Sequence, residues 1–193
     1  TTKPPKIWDT TVGWRFNNPA LDALYPIISL GEGAEVIAEE MQISREEQDA
    51  FALESHRRAI NAINSGKFEK EICAIPVKQR RGDALLVDID EHPRYNKTEK
   101  GYELAIDMAG LAKLPAAFKK DGTVTAGNSS GINDGAAALL LANQEAALNH
   151  GYKPKLKWLG SASAGTAPSH FGYGPVPATQ KLLKRFDLSV DDI

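Results

Sequence analysis

One cysteine, Cys73, and two methionines are all the sulfur in this chain of 193 residues. A lone thiol closes no intramolecular disulfide and builds no metal site unaided, which excludes a disulfide scaffold and fits a reducing, cytoplasmic setting. Charge of one sign is also missing. With 23 basic and 25 acidic residues the formal net charge is -2, and the basic residues are scattered in twos and threes. Nucleic acid and an anionic membrane surface are therefore not expected partners. No apolar run approaches the ~18 residues of a membrane helix, and Thr1-Thr2-Lys3-Pro4-Pro5 lacks the layout of a signal peptide. The four histidines, His56, His92, His150 and His170, are far apart, and none has a second ligand at metal spacing. There is no P-loop, no dinucleotide fingerprint and no internal repeat at solenoid periods.

What is present is an ordinary globular composition, 42% hydrophobic and 25% charged, enough for one core or two small ones. The first residue is Thr1 rather than Met, and Asp191-Asp192-Ile193 follows a helix-like segment with no terminating device, so a piece of a longer polypeptide is expected. The chain is organised around Gly122 to Ala138, GTVTAGNSSGINDGAAA. Glycines, asparagines and hydroxyls supply main-chain freedom and hydrogen-bonding groups with almost no side-chain bulk, so another surface can approach closely. This is a binding loop, and Asn133-Asp134-Gly135 adds a turn before the apolar run Ala136-Ala142.

Around it, residues 1–26, with Trp8, Trp14, Phe16 and Tyr25 in no helical or strand period, predict an extended, packed loop. Ala34, Ile37, Ala38 and Met41 predict a helix from near Gly33. Ser44-Arg45-Glu46-Glu47 is a capping box for a second helix that reaches Ser65, stops at Gly66 and buries Phe51, Leu53, Ile60 and Ile63. Residues 72–77 and 84–89 predict a strand pair across a basic turn, residues 88–100 are hydrophilic, and residues 104–118 have helical spacing broken at Pro115. Ala136-Ala142 predicts a strand covered on both faces. A helix over Gln144–His150, a strand over Leu156-Ala164 and a last helix from Pro177 to Phe186 complete the pattern of an irregular α+β lobe inserted before or within an α/β sheet.

Among candidate sites, Gly127-Asn128-Ser129-Ser130-Gly131 spells GxSxG, the nucleophile elbow of hydrolases. It lacks the apolar strand before and the helix after that an elbow needs, so Ser129 is a minor alternative. Cys73, inside an apolar run, has the setting of a small buried packing residue. Asn128-Ser129-Ser130 and Asn96-Lys97-Thr98 fit the glycosylation sequon, which matters only in a secreted protein. The residues alone thus offer a small-residue loop, an apolar cluster Leu111/Leu114/Phe118 and isolated basic residues such as Arg94. That set suits an amphipathic ligand with an amide arm and an anionic head.

Residues 122–128, Ser130-Gly131 and residues 133–137 closely resemble the corresponding segment of thiolases, the acetyl-CoA C-acyltransferases. The likeness continues in Asp9-Thr10-Thr11 with Gly13-Trp14-Arg15-Phe16 and Asn18-Pro19, in Ala34-Glu35, in residues 43–52 and in Gly174-Pro175-Val176-Pro177-Ala178. It is similar to the beta-ketoadipyl-CoA or broader 3-ketoacyl-CoA type. The fold class it implies is α/β, part of a five-layered αβαβα sandwich with an α+β loop domain. The implied division is 1–121 as the loop domain, with Ser44 to Phe118 covering the coenzyme A site, 122–153 as the end of the N-terminal core half and 154–193 as the start of the C-terminal half.

The resemblance also implies contacts. Arg94 is similar to the arginine facing the nucleotide of coenzyme A, Leu114 and Phe118 to apolar contacts beside adenine and pantetheine, and Ala126 and Ser130 to positions meeting the pantetheine arm. Ser29 and Leu30 stand where many members carry His-Met near the acyl pocket, a departure that weakens the case for a short-chain, acetoacetyl-CoA preference. The family acylates a cysteine in an N-terminal segment and uses a GHP-type histidine, a second cysteine near the C-terminus and an Asn-Glu-Ala-Phe segment; none of these motifs occurs in this sequence. No catalytic residue and no resident cofactor are therefore expected here, coenzyme A being substrate, and the isolated chain is expected to be inactive. The implied parent is a homo-oligomeric acyltransferase of fatty acid or aromatic degradation. The rival expectation is a non-catalytic coenzyme-A-binding or scaffolding module.

Overall fold

Short polar side chains ahead of periodic runs set most helix starts, because the first N–H groups of a helix need acceptors the helix cannot supply. The computed structural model describes Ile7 and residues 14–193. In chain order these carry α1 (Pro19–Asp22), α2 (Leu30–Glu40), α3 (Arg45–Asn64), β1 (Ile75–Val77), β2 (Leu85–Val87), β3 (Tyr95–Thr98) and β4 (Gly101–Leu104). Then follow α4 (Met108–Ala112), α5 (Gln144–Asn149) and α6 (Pro175–Phe186), with 3-10 turns at Pro168–Tyr173 and Val190–Asp192. Two compact units result, one of Ser29–Ile132 and one of Thr1–Ile28 with Asn133–Ile193. Trp8 and the Asp9-Thr10-Thr11 and Gly13 part of the sequence resemblance lie outside the described residues.

In the unit of residues 29–132, α2 starts a turn earlier than its apolar periodicity predicts. Ser29 Oγ accepts from the Glu32 N–H at 3.3 Å while the Glu32 carboxylate accepts from the Ser29 N–H at 2.6 Å. Ser44 and Glu47 make the same reciprocal box for α3, as expected, and the chain leaves that helix through Gly66 at φ 67°. The inward face of α3 is set by buried Asp49 and Ile60, which puts Phe51 two residues round the helix and 78% exposed, correcting its expected burial. Ala38, Ile60, Leu111 and Val124 form the core of this unit.

The expected hairpin exists as β1 against β2, antiparallel with Ile75 opposite Val87, but it is shorter than predicted and Ile75, Val77, Leu85 and Leu86 remain exposed. Cys73 lies just before β1 and is exposed, a correction to its expected burial: no layer of described residues covers this ribbon. The hydrophilic residues 88–100 contain the start of a second hairpin, β3 against β4. Gly101 turns at φ 120°, and the Tyr95 and Tyr102 rings meet edge-on at 4.7 Å. The Asn64 side chain bonds both the N–H and the C=O of Tyr102, at 2.9 and 2.7 Å, tying this ribbon to the end of α3. Residues 104–118 are helical only over α4, capped by Asp107.

In the other unit, residues 14–28 are not the packed extended loop the sequence predicts. Asn18 caps and Pro19 opens α1, and Trp14 and Phe16 are exposed, with the Trp14 indole N–H donating to the Ile28 carbonyl at 2.8 Å. Asn143 caps α5 as predicted. Pro175 rather than Pro177 opens α6, and Asp187 closes it in the left-handed region.

The predicted strands over 136–142 and 156–164 are not formed. Neither segment makes ladder hydrogen bonds, and Leu139, Leu140, Leu141, Leu156 and Trp158 are exposed. Their apolar runs have strand composition, but no described strand lies beside them, and a strand exists only by pairing. Residues 160–163 instead lie on α6, whose Lys181 and Arg185 donate to the Ser163 and Ser161 carbonyls at 3.2 and 2.9 Å.

Candidate functional site

The loop at Gly122–Ser130 is held from beneath by two carboxylates that its own sequence gives no hint of. Glu35, on the buried face of α2 and 4% exposed, accepts the Thr123 N–H at 2.9 Å, the Val124 N–H at 2.8 Å and the Thr123 hydroxyl at 3.1 Å. Gln48 on α3 donates to Thr123 Oγ1 at 2.9 Å, so that hydroxyl is used as donor and acceptor. Buried N–H groups must find acceptors, and an ionised carboxylate is the strong one.

Asp49, 1% exposed, accepts from Asn128 Nδ2 at 2.9 Å and from Arg45 Nε at 2.8 Å. Asn128 also donates to the Thr123 carbonyl at 3.0 Å and accepts the Thr125 N–H at 2.7 Å, so one amide side chain stitches the loop across itself. Arg45 completes the set by donating to the carbonyls of Leu111 and Leu114 at 2.6 and 3.1 Å, at the end of α4. Thr125 is fully buried and pairs with Ala116, and its hydroxyl accepts the Gly127 N–H at 3.1 Å.

With these bonds made inside, Ala126 and Ser130 are left exposed. Leu114 packs on the loop backbone next to Ala126: a Cβ at Gly127 would stand 2.5 Å from Leu114 Cδ1 and 2.6 Å from Leu111 Cδ2, so a side chain there would have to displace both leucine tips. The ring of Phe118 lies over Gly31, where any Cβ would overlap it. That places Phe118 beside Ser29, the cap of α2, and Leu30, its exposed first residue. Of the sequence-predicted residues, Leu114 thus lies at Gly127, next to Ala126, and Phe118 at Gly31, next to Leu30 at the start of α2.

No hydrogen bond or ion pair joins Arg94 to either group among the described residues. Arg94 is exposed ahead of β3, with its backbone N–H on His56 Nδ1 at 3.3 Å. His56 and His92, unremarkable by spacing, come together at 5.8 Å between ring centroids. Burial, and then the positive charges of His92 and Arg94, hold the His56 imidazole below the usual histidine range.

Sequence reasoning missed Glu35 and Asp49 as the groups that hold the loop, and the meeting of the two histidines. Glu35 and Asp49 occupy inward positions of amphipathic helices, and a buried acid within an apolar stripe is the signal that could have found them. A cavity of about 340 Å³, lined in part by Glu35, Ala38, Ile43, Gly122 and Thr123, adjoins the loop, but none of the predicted contact residues lines it. The Ser129 hydroxyl is buried with no hydrogen-bond partner, so no base activates it and the GxSxG spelling is incidental to the loop. Among the described residues no group of three or more His, Cys, Asp or Glu is placed to hold a metal ion, and no helix is long and apolar enough to cross a membrane.

Comparison with known proteins gives this geometry a family. The thiolase N-terminal domain matches residues 15–145. The beta-ketoadipyl-CoA thiolase of Pseudomonas aeruginosa is 47% identical over 186 residues, covering 96% of this chain and 44% of that protein. The 3-oxoadipyl-CoA/3-oxo-5,6-dehydrosuberyl-CoA thiolase of Escherichia coli is 40% identical over 192 residues, covering 100% of this chain and 46% of that protein. The crystal structure of the Bacillus anthracis acetyl-CoA acetyltransferase superposes with a TM-score of 0.79 at 38% identity, over 99% of this chain and 48% of that one. The chain therefore spans a little under half the length of these relatives. With the loop, its supporting helices and the match over residues 15–145 in agreement, this chain belongs to the thiolase family and adopts part of its α/β fold.

Proposed function

We propose that this chain is the coenzyme-A-binding part of an acyl-CoA acyltransferase that interconverts acyl-CoA plus acetyl-CoA with 3-ketoacyl-CoA plus CoA. The observation that carries the reading is the Gly122–Ser130 loop, whose internal polar groups are consumed by Glu35, Asp49 and Asn128 while Ala126 and Ser130 face outward. A loop fixed before its ligand arrives loses little entropy on binding, and small outward residues let an extended chain lie against the backbone.

In this reading the Ser130 hydroxyl bonds an amide of the pantetheine arm, Ala126 leaves room for that arm, and Leu114 and Phe118 cover its apolar parts. The Arg94 guanidinium meets phosphate at the nucleotide end, and Ser29 and Leu30 wall the acyl pocket. The names of the relatives, beta-ketoadipyl-CoA thiolase and 3-oxoadipyl-CoA thiolase, favour a dicarboxylic 3-ketoacyl-CoA as substrate. The chain's own residues bind and orient. Carbon–carbon bond formation or thiolysis needs a thiolate and its base, which no motif of this sequence supplies.

Isothermal titration of the 193-residue chain with CoA tests the reading. Binding is expected, weakened about tenfold or more by Ala126→Trp, which fills the space beside the loop, and about tenfold by Arg94→Ala. Absence of CoA binding to the folded chain overturns it. Thiolysis of a 3-ketoacyl-CoA by this chain alone would overturn the assignment of a binding role only.

A further inference from the structure

The β1–β2 ribbon has two outer edges, and they are not equivalent. Residues opposite one another in an antiparallel pair alternate between those that exchange two hydrogen bonds and those that exchange none. Pro76 lies opposite Leu86 and has no N–H to give, so theirs is the non-bonded pair, and the ladder bonds belong to Ile75 with Val87 and Val77 with Leu85. The outward main-chain groups are then those of Pro76 on β1 and Leu86 on β2. At these positions β1 presents an edge without a donor, while β2 presents both an N–H and a C=O. No third strand joins either edge among the described residues.

Exposed Ile75, Val77 and Leu85 share one face of the ribbon with Val87, and exposed Leu86 lies on the other. Two strands with such faces are marginal in water, and added strands are what stabilise them. The flanks of β2 say which strand fits. The chain enters β2 from Arg80-Arg81 and leaves it into Asp88, Asp90 and Glu91, all exposed. None of these five makes an ion pair among the described residues. A strand that is basic before and acidic after is complementary to itself turned end for end.

We propose that the outer edge of β2 pairs antiparallel with β2 of a second copy of this chain, about a two-fold axis at Leu86. Each Leu86 N–H donates to the other copy's Leu86 carbonyl, each Leu85 faces the other copy's Val87, and each Arg81 falls opposite the other copy's Glu91. Asp83, which departs from the charge polarity, falls opposite Ile89, and Asp88 opposite Ala84, so no two carboxylates are opposed. The two ribbons become one four-stranded sheet with a continuous apolar face. Its outer edges are then the donor-poor β1 strands, which close the assembly at two copies. None of the residues assigned to coenzyme A above lies in β1 or β2, so the pairing is independent of that reading.

The test uses the 193-residue chain with Leu139→Glu and Leu141→Glu, so that the exposed leucines of residues 139–141 do not compete. Sedimentation equilibrium is expected to show a dimer, weakened about tenfold or more by Leu86→Pro, which deletes the outward N–H and leaves every ladder bond between β1 and β2 in place. A monomer at all concentrations, or a dimer that Leu86→Pro does not weaken, overturns the pairing. Charge exchange reads the register without touching either strand. Chains with Arg81→Glu and chains with Glu91→Arg should each dimerise poorly alone, because like charges then face each other. Mixed, they should form the heterodimer about fivefold above its statistical share in native mass spectrometry, since both contacts become oppositely charged. A statistical mixture overturns the two-fold axis at Leu86.

Discussion

The buried carboxylate of Asp49 holds the side-chain amide of Asn128 at 2.9 Å, joining α3 to the central loop. Because Arg45 neutralises the same carboxylate, removing either partner leaves a buried group unmatched. Asp49→Ala is expected to cost about 3 kcal/mol of stability and Asn128→Ala about 2 kcal/mol. Urea denaturation of both and of the double variant should give a coupling of about 1 kcal/mol or more, and strict additivity would show that the contact does not hold the loop.

Glu35 meets only donors: two backbone N–H groups and the hydroxyl of Thr123. Glu35→Gln keeps the shape and presents an NH₂ group where an acceptor is needed, so about 2 kcal/mol should be lost. Hydrogen exchange at the Thr123 and Val124 amides should quicken ahead of exchange in α3. Equal acceleration in both would place the effect in global stability.

Gly31 is glycine because the Phe118 ring occupies the place of its Cβ. Gly31→Ala should destabilise by about 1–3 kcal/mol through overpacking. Adding Phe118→Leu should recover much of that loss in thermal unfolding, which a purely helical-propensity effect would not allow.

The Ser44 backbone and hydroxyl hold the Glu47 carboxyl below its usual 4.5. A depressed folded value contributes stability that is present above 4.5 and lost as pH falls through the folded value. The first turn of α3 should therefore fray on acidification below that range. Amide exchange at Glu46 to Gln48 against pH would reveal it, and Glu47→Gln should remove the pH dependence while retaining part of the cap.

Leu139, Leu140 and Leu141 are 91%, 75% and 77% exposed in a segment without ladder bonds. Such a run pairs with whatever edge it meets. The chain should self-associate in sedimentation experiments in proportion to concentration, and Leu139→Glu with Leu141→Glu should reduce this. A monodisperse native chain would show that these leucines are covered in solution.

Local signals fixed much of the framework. Ser44-x-x-Glu47 before an apolar-periodic run is a complete instruction for the start of α3, because cap and box lie within four consecutive residues. Ser29-x-x-Glu32 and Asn18-Pro19 were equally legible, and attention to apolar periodicity alone passed over them. The glycines and hydroxyls of residues 122–131 likewise announced a loop from composition, and the thiolase likeness rested on contiguous segments.

Tertiary structure decided what distance in the sequence hides. Burial of Glu35 and Asp49 beneath the loop depends on which face α2 and α3 turn inward, and that is set by Ala38, Ile60, Leu111 and Val124 closing one core. The meeting of His56 with His92 and Arg94 depends on how the segment before β3 returns to α3. The strands over 136–142 and 156–164 failed for the complementary reason. Apolar composition gives a segment the capacity to be a strand, but the hydrogen bonds that make it one belong to a neighbour, and among the described residues none is there.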